Sequence, residues 1–383
     1  MVIALAAWYL STAISWRQGA LFLVGAGAGV VLYHAAFGFT SSWRVFISDR
    51  RGAGLRAQML MLALTCAVFF PLLASGSLFG QPLRGSVSPA GVGVAAGAFI
   101  FGLGMQLGGG CASGTLFSVG GGSTRMLVTL LFFIIGSVIG TAHTPWWNAR
   151  PAFPATSVVT TMGPWLGLAV CFALFGGISW FTRVAERKRH GKIVDETRPG
   201  PGGKTAPRWL KGPWPLVAGA VGLAVVNIAT LTISGRPWGV TSAFALWGAK
   251  LFATLGIDVA SWAYWTAPAQ ATALRSSVLM DVTSVMDFGI ILGALMAAIL
   301  AGRFAPVLKV PGKSLAAAVI GGILLGYGAR IAYGCNIGAY FSGIASGSVH
   351  GWLWLVAAFA GNIAGTGLRP RFGLNVEKTK TAC

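Results

Sequence analysis

Apolar residues run along this chain in long blocks, separated by short polar or glycine-rich intervals. Nine blocks reach the roughly 20 residues a helix needs to cross the hydrocarbon core of a bilayer. They lie at about 18–37, 56–76, 88–108, 125–143 and 163–183, then at about 213–234, 281–301, 313–334 and 350–368. Four shorter, glycine-flanked stretches, 38–47, 109–122, 238–256 and 335–348, are too short or too polar to cross, and the pattern predicts re-entrant half-helices there. The predicted fold class is therefore all-α, a multi-pass integral membrane protein with about nine transmembrane helices. Residues 1–15 are apolar but lack the basic start of a signal peptide, and they read as an extension of the first span.

Composition sharpens this picture. Of 383 residues, 55% are hydrophobic and 9% charged, with a mean hydropathy of +0.74, too little charge for the surface of a soluble domain of this size. The net charge of +20 does not point to nucleic acid, because the cations lie in short segments between apolar blocks instead of forming a face. Positive-inside retention puts them there, facing anionic membrane lipids. The clearest soluble stretch is the linker 184–212, rich in Lys and Arg and carrying Pro-Gly-Pro-Gly-Gly at 199–203; it is expected to be disordered and cytoplasmic. With that linker inside, nine spans make 44–56, 122–126, 302–313 and 369–383 cytoplasmic as well. These segments, counting Arg183 at the linker's edge, hold all 28 Lys and Arg except Arg17, Arg84, Arg150, Arg236, Lys250, Arg275 and Arg330.

The chain also repeats itself. Residues 102–118 read GLGMQLGGGCASGTLFS and residues 326–342 read GYGARIAYGCNIGAYFS, sharing GxG, then Gly-Cys, then Gly and Phe-Ser. Gly38-Phe39-Thr40-Ser41 is echoed by Gly239-Val240-Thr241-Ser242, and Gly136, Gly140 and Thr141 by Gly361, Gly365 and Thr366. On the nine-span topology the two halves have opposite orientation. The organisation is then a first membrane repeat at 18–183, the linker 184–212, a second, inverted repeat at 213–368 and a tail at 369–383.

A glycine-rich break placed alike in two halves is the best sequence pointer to a transporter's substrate site, and here each break carries a thiol. The glycines, Gly110 and Gly334 among them, let the backbone unwind and a ligand approach. The half-helix that follows offers free N–H groups and a positive dipole end. Cys111 and Cys335, at or near those N-termini, add a weak donor and acceptor suited to loose binding of a sulfur-bearing anion. One such cysteine would read as a small packing residue; two at matched positions read as a path. Asn336, Arg330, Ser113, Thr40 and Thr241 are further candidates along it, with Arg330 able to snorkel or cap instead. Ser113, Thr115, Ser118 and Ser342 are secondary contacts or merely bond their own backbone. Cys66 and Cys171 read as core residues, and Asp281 and Asp287 as interfacial, with proton coupling the alternative for them. No CxxC and no zinc spacing occurs, so no metal, cofactor or catalytic centre is expected. The competing class is a membrane thiol oxidoreductase or sulfurtransferase using the same two cysteines.

FGLGMQLGGGCASGT at 101–115, GYGARIAYGCNIGAYFSGI at 326–344 and GVTS at 239–242 resemble the signature segments of the YeeE/YedE family of bacterial sulfur-compound transporters. The resemblance implies an hourglass-shaped inverted repeat in the inner membrane, with thiosulfate passing central cysteines through weak S–H hydrogen bonds. Cys111 and Cys335 would be two of those cysteines. It further implies a cytoplasmic sulfur-carrier or rhodanese-type partner. That family often has another cysteine in the first half-helix; here Gly38 or Thr40 occupies the region. Either the path has two thiols or the substrate differs, and some members resembling the second half are linked to selenium metabolism.

Overall fold

The computed structural model describes residues 1–194, 208–307 and 309–377. The chain forms α1 (Val2–Ala13), α2 (Trp16–Ala35), α3 (Phe39–Asp49), α4 (Ala53–Ser75), α5 (Val92–Gly108), α6 (Ala112–Gly120), α7 (Thr124–Asn148), the single turn α8 (Val158–Thr161), α9 (Pro164–His190) and α10 (Arg208–Lys211). It continues with α11 (Leu216–Ser234), α12 (Thr241–Thr254), α13 (Pro268–Arg275), α14 (Val282–Leu300), α15 (Gly312–Ile331), a π-helical turn at Asn336–Phe341, α16 (Ser342–Ala345) and α17 (Val349–Leu368). Strand is confined to two short antiparallel pairs, Ser77–Leu78 with Gln81–Pro82 and Ala90–Gly91 with Ala152–Phe153. Among the described residues, nine helical stretches are long and apolar enough to span a membrane. The protein is a multi-pass membrane protein.

One expectation is corrected. Residues 2–13 do not extend the first span. Ser15 breaks the helix in an extended conformation and caps α2, its hydroxyl accepting from the Gln18 N–H at 3.3 Å, and α1 packs back through Ala7 and Leu10 near Phe22 and Val285. The fifth long helix, α9, continues into the basic linker range as far as His190. Arg187, Lys188, Arg189 and His190 occupy the last turn of α9, where cations suit the negative helix end, and Gly191 closes it. Residues 195–207, and with them the expectation of disorder, lie outside the described residues, as do 378–383 with Cys383.

The helices pair reciprocally. α5 packs on α17 and on α15, and α15 packs on α7; α2 packs on α14 and on α11, and α11 packs on α4. The glycines of the repeat make this possible. Gly102 rests on the Ala358 backbone of α17, while its mate Gly326 rests on the Phe133 backbone of α7. Gly136 rests on Ile323 of α15, and its mate Gly361 on Phe99 of α5. A side chain at any of these positions would collide with backbone, so close approach of small residues fixes the crossings.

Hydrogen bonds tie the basic loops to one another at one end. Arg44 pairs with Glu377 at 2.6 Å, Arg56 with Glu186 at 2.6 Å, and Arg125 donates to Ser314 at 2.8 Å. At the other end the Arg84 N–H donates to the Gly235 carbonyl, and the Val158 N–H to the Gly347 carbonyl.

Candidate functional site

The first break follows α5. Gly109, at φ +91°, turns the chain left-handed, and its N–H closes on the Met105 carbonyl. The carbonyls left free at the helix end are taken by side chains. Arg125 donates to Leu107 and Gly108 at 2.6 Å each, Thr129 to Gly108 at 3.2 Å, and Arg369 to Gln106 at 2.6 Å. Cys111, extended, is the N-cap of α6: its Sγ accepts the Gly114 N–H at 3.4 Å. Ser113 Oγ lies 3.5 Å from that sulfur, and Thr115 Oγ1 donates back to the Cys111 carbonyl at 2.8 Å.

The second break follows α15. Tyr333 at φ +60° and Gly334 at φ +147° reverse the chain, and Cys335 caps the next turn, its Sγ accepting the Ile337 N–H at 3.4 Å. Gly334 is required here twice over. Its backbone lies where L side chains rarely go, and a Cβ would come 2.8 Å from the Ala339 nitrogen. Gly110, at the corresponding place, is less constrained, since a Cβ there would meet Gly114 and Thr115 at 3.2 Å. The turn after Cys335 is π-helical, with the Ala339 and Tyr340 N–H groups both reaching the Cys335 carbonyl. Single π turns often mark functional sites.

The two breaks meet. α6 packs against the π turn, and Cys111 and Cys335 belong to one buried cluster, 2% and 0% exposed. Two short helices thus present thiol-capped N-termini to a common interior.

The other candidates divide. Asn336 is fully buried and both its amide atoms lack a partner; the Thr40 hydroxyl is likewise buried and unpaired. Thr241 opens α12 and is buried, and the adjacent Ser242 hydroxyl donates to Thr283 at 3.1 Å. Arg330 points elsewhere. Its stem packs on Gly140, its guanidinium lies 5.0 Å from the Tyr264 ring, and Nη1 donates to the Tyr264 hydroxyl at 3.0 Å. Ser342 is structural, donating to the Trp238 carbonyl at 2.7 Å and accepting from Asn227 at 3.1 Å.

Asp287 is the largest correction. It faces the protein interior instead of the surface: it is fully buried in α14, and neither carboxyl oxygen has a partner. Six residues into an apolar span, its sequence position did not tell which way it faced. Sequence reasoning also missed Tyr340, whose buried hydroxyl is unpaired between Trp43 and Trp354. It missed Asn227, Gln106 and Asn362 too. Gln106 donates to Asn362 at 2.6 Å and to the Thr40 carbonyl at 3.1 Å, while Asn227 accepts the Trp238 N–H at 2.9 Å. A lone amide inside an apolar block was the available signal.

At the basic end, Arg44 donates through Nε and Nη2 to both oxygens of Glu377, 2.6 Å each. Burial acts to raise the Glu377 carboxyl, but the hydrogen bonds and charge of Arg44 outweigh it and hold the group below its ordinary range.

Known proteins are similar to this chain in sequence, some of them across most of its length. A family profile described as sulphur transport matches residues 34–364. The chain is 29% identical over 362 residues to the thiosulfate transporter TsuA of Spirochaeta thermophila, covering 89% of this chain and 95% of that one. It is 25% identical to the thiosulfate transporter TsuA of Escherichia coli, over 88% and 91% of the two chains. The probable transporter YedE of Escherichia coli matches at 30% identity over 178 residues, 45% of this chain and 43% of that one.

Proposed function

As the chain belongs to the sulphur transport family that includes the YeeE/YedE transporters, we propose that it imports a small sulfur-containing anion, thiosulfate first, across the bacterial inner membrane. The observation that carries this reading is the matched pair of thiol caps, Cys111 and Cys335, each accepting an N–H at the start of a short helix, in contact with each other's surroundings. An anion between them meets helix N-termini whose N–H groups and dipoles favour negative charge. It also meets two S–H groups too weak to hold it for long, and weak holding is what conduction requires.

In this reading 18–183 and 213–368 are inverted membrane repeats joined by the cytoplasmic segment 184–212, and 369–383 is a cytoplasmic tail. Substrate arrives from the periplasm, passes Gly334–Cys335 and Gly110–Cys111, and leaves beside the basic loops, to a cytoplasmic sulfur-carrier or rhodanese-type protein. Thr40 offers a hydroxyl where relatives often have a further thiol, and Asn336 and Ser113 supply hydrogen bonds beside the two sulfurs. Thr241 lines the path at the head of α12, and Arg330 acts at the periplasmic mouth by drawing anions. The chain is a carrier and not an enzyme on this account. Both thiols are dry and buried, whereas sulfur-transfer chemistry calls for an accessible thiolate.

The test is growth on thiosulfate as sole sulfur source, in a strain lacking its own uptake and complemented with wild type, Cys111→Ala or Cys335→Ala at matched expression. Growth with wild type that both substitutions abolish is the expected result. A well-expressed wild type that gives no growth removes thiosulfate, and the assay then moves to sulfite and selenium compounds.

A further inference from the structure

We propose that Asp287 carries a proton inward with each anion, making the transport proton-coupled. This rests on the reading of the chain as an anion importer.

The argument begins with placement. Thr283, Asp287 and Ile291 follow at four-residue intervals and so share one face of α14. On that face the Thr283 hydroxyl accepts from Ser242 at the head of α12, and the Ile291 backbone lies against Gly120 of α6. Asp287 therefore sits between the start of one short helix, α12, and the end of another, α6. α14 packs along α6, whose N-cap is Cys111, and α6 packs on the π turn that Cys335 opens. Among the described residues, no hydrogen bond or ion pair from another charged or titratable group answers it. Asp281 caps α14 through Ser284, and Lys250 of α12 is bonded to the Leu274 and Ser276 carbonyls. Tyr33 and His34 lie in the last turn of α2, ring to ring, with His34 against Trp214, and Lys211 of α10 is exposed. Arg17 of α2 and Tyr9 of α1 are exposed.

A carboxylate with no donor at either oxygen, wholly out of water, is costly, and the neutral acid is the form such a site accommodates. The neutral acid then has an O–H with nothing to bond. An oxyanion at Cys335 is an acceptor, whereas a charged carboxylate there would repel it. Passage of the anion thus requires the proton. The proton is taken up by Asp287 from the outer side, moves with the anion and leaves on the inner side, and the carboxyl is reprotonated from outside for the next cycle. No bond other than O–H is made or broken.

The experiment uses the purified full chain in sealed liposomes, with ³⁵S-thiosulfate, the potential clamped at zero by potassium and valinomycin, and the outer pH lowered. Wild type should accumulate label about tenfold per pH unit of inward gradient for one proton per anion. Asp287→Asn should keep downhill exchange of thiosulfate yet lose this accumulation, and Asp287→Glu should restore it. Exchange by wild type without any response to the pH gradient overturns the proposal and leaves the import reading standing. Accumulation driven by a sodium gradient instead, or proton-driven accumulation by Asp287→Asn, also overturns it. Absence of exchange by wild type overturns the import reading, and the proposal with it.

Discussion

The two breaks share one backbone plan, and their surroundings differ. At the first, side chains answer most of the polar groups, the Thr40 hydroxyl excepted. Arg125, Thr129 and Arg369 cap α5, Ser113 and Thr115 bond around Cys111, and Gln106 is tied to Thr40 and Asn362. At the second, Asn336, Tyr340 and the nearby Asp287 are buried and unanswered. Repeat mates show the same contrast: Gln106 is fully engaged at the basic end, while its mate Arg330 makes one hydrogen bond to Tyr264 and leaves Nε unpaired. Buried groups without partners destabilise a fold. On the proposed reading, those around the second break await a ligand that supplies the missing partners, at some expense in stability.

The contrast can be broken first at the glycines. Gly334→Ala should destabilise the protein by about 3 kcal/mol, because the left-handed backbone and the Ala339 collision add, whereas Gly110→Ala should cost about 1 kcal/mol or less. Thermal unfolding in detergent measures both, and equal losses would erase the distinction. Next come the polar residues. Asn336→Ala should lower thiosulfate uptake by roughly tenfold, about 1.4 kcal/mol of barrier, with unfolding temperature unchanged or raised as two unpaired groups leave the core. Ser113→Ala at the first break should change uptake by less than about twofold, a few tenths of a kcal/mol. A third thiol tests the shorter path: Thr40→Cys should leave the fold intact and raise uptake modestly, and a fall would show that the hydroxyl has its own use.

The smallest effect is expected at the tail. Glu377 titrates lower when docked on Arg44 than when free. Docking is therefore favoured at neutral pH, begins to weaken below the ordinary carboxylate value of about 4.3 and is lost as pH falls through the docked value. Limited proteolysis of the tail between pH 7 and pH 3 follows this, and Glu377→Gln should abolish the dependence.

Much of this was legible in the chain. The nine apolar blocks became nine long helices within a few residues, since the length of an apolar run and a bilayer's thickness leave little choice. The four short helices were legible from glycine spacing, and both cysteines stand at N-caps as the repeat foretold. What escaped depends on neighbours. Ser15 ends α1 because its side chain bonds forward, which hydropathy does not record. The π turn after Cys335 differs from α6 although the motifs match; Gly334 stands at φ +147°, whereas Gly110 is not at positive φ. Asp287 and Arg330 sit in apolar blocks whose hydrophobicity is nearly uniform around the helix, so no periodicity assigned them a side.

The reciprocal glycines carry a consequence for assembly. The tight crossings of α5 with α17 and of α7 with α15 each take one helix from each half of the chain. None of them can close until the later helix of its pair has been made and inserted, so the glycine faces of α5 and α7 stay uncovered while the second half is still being synthesised.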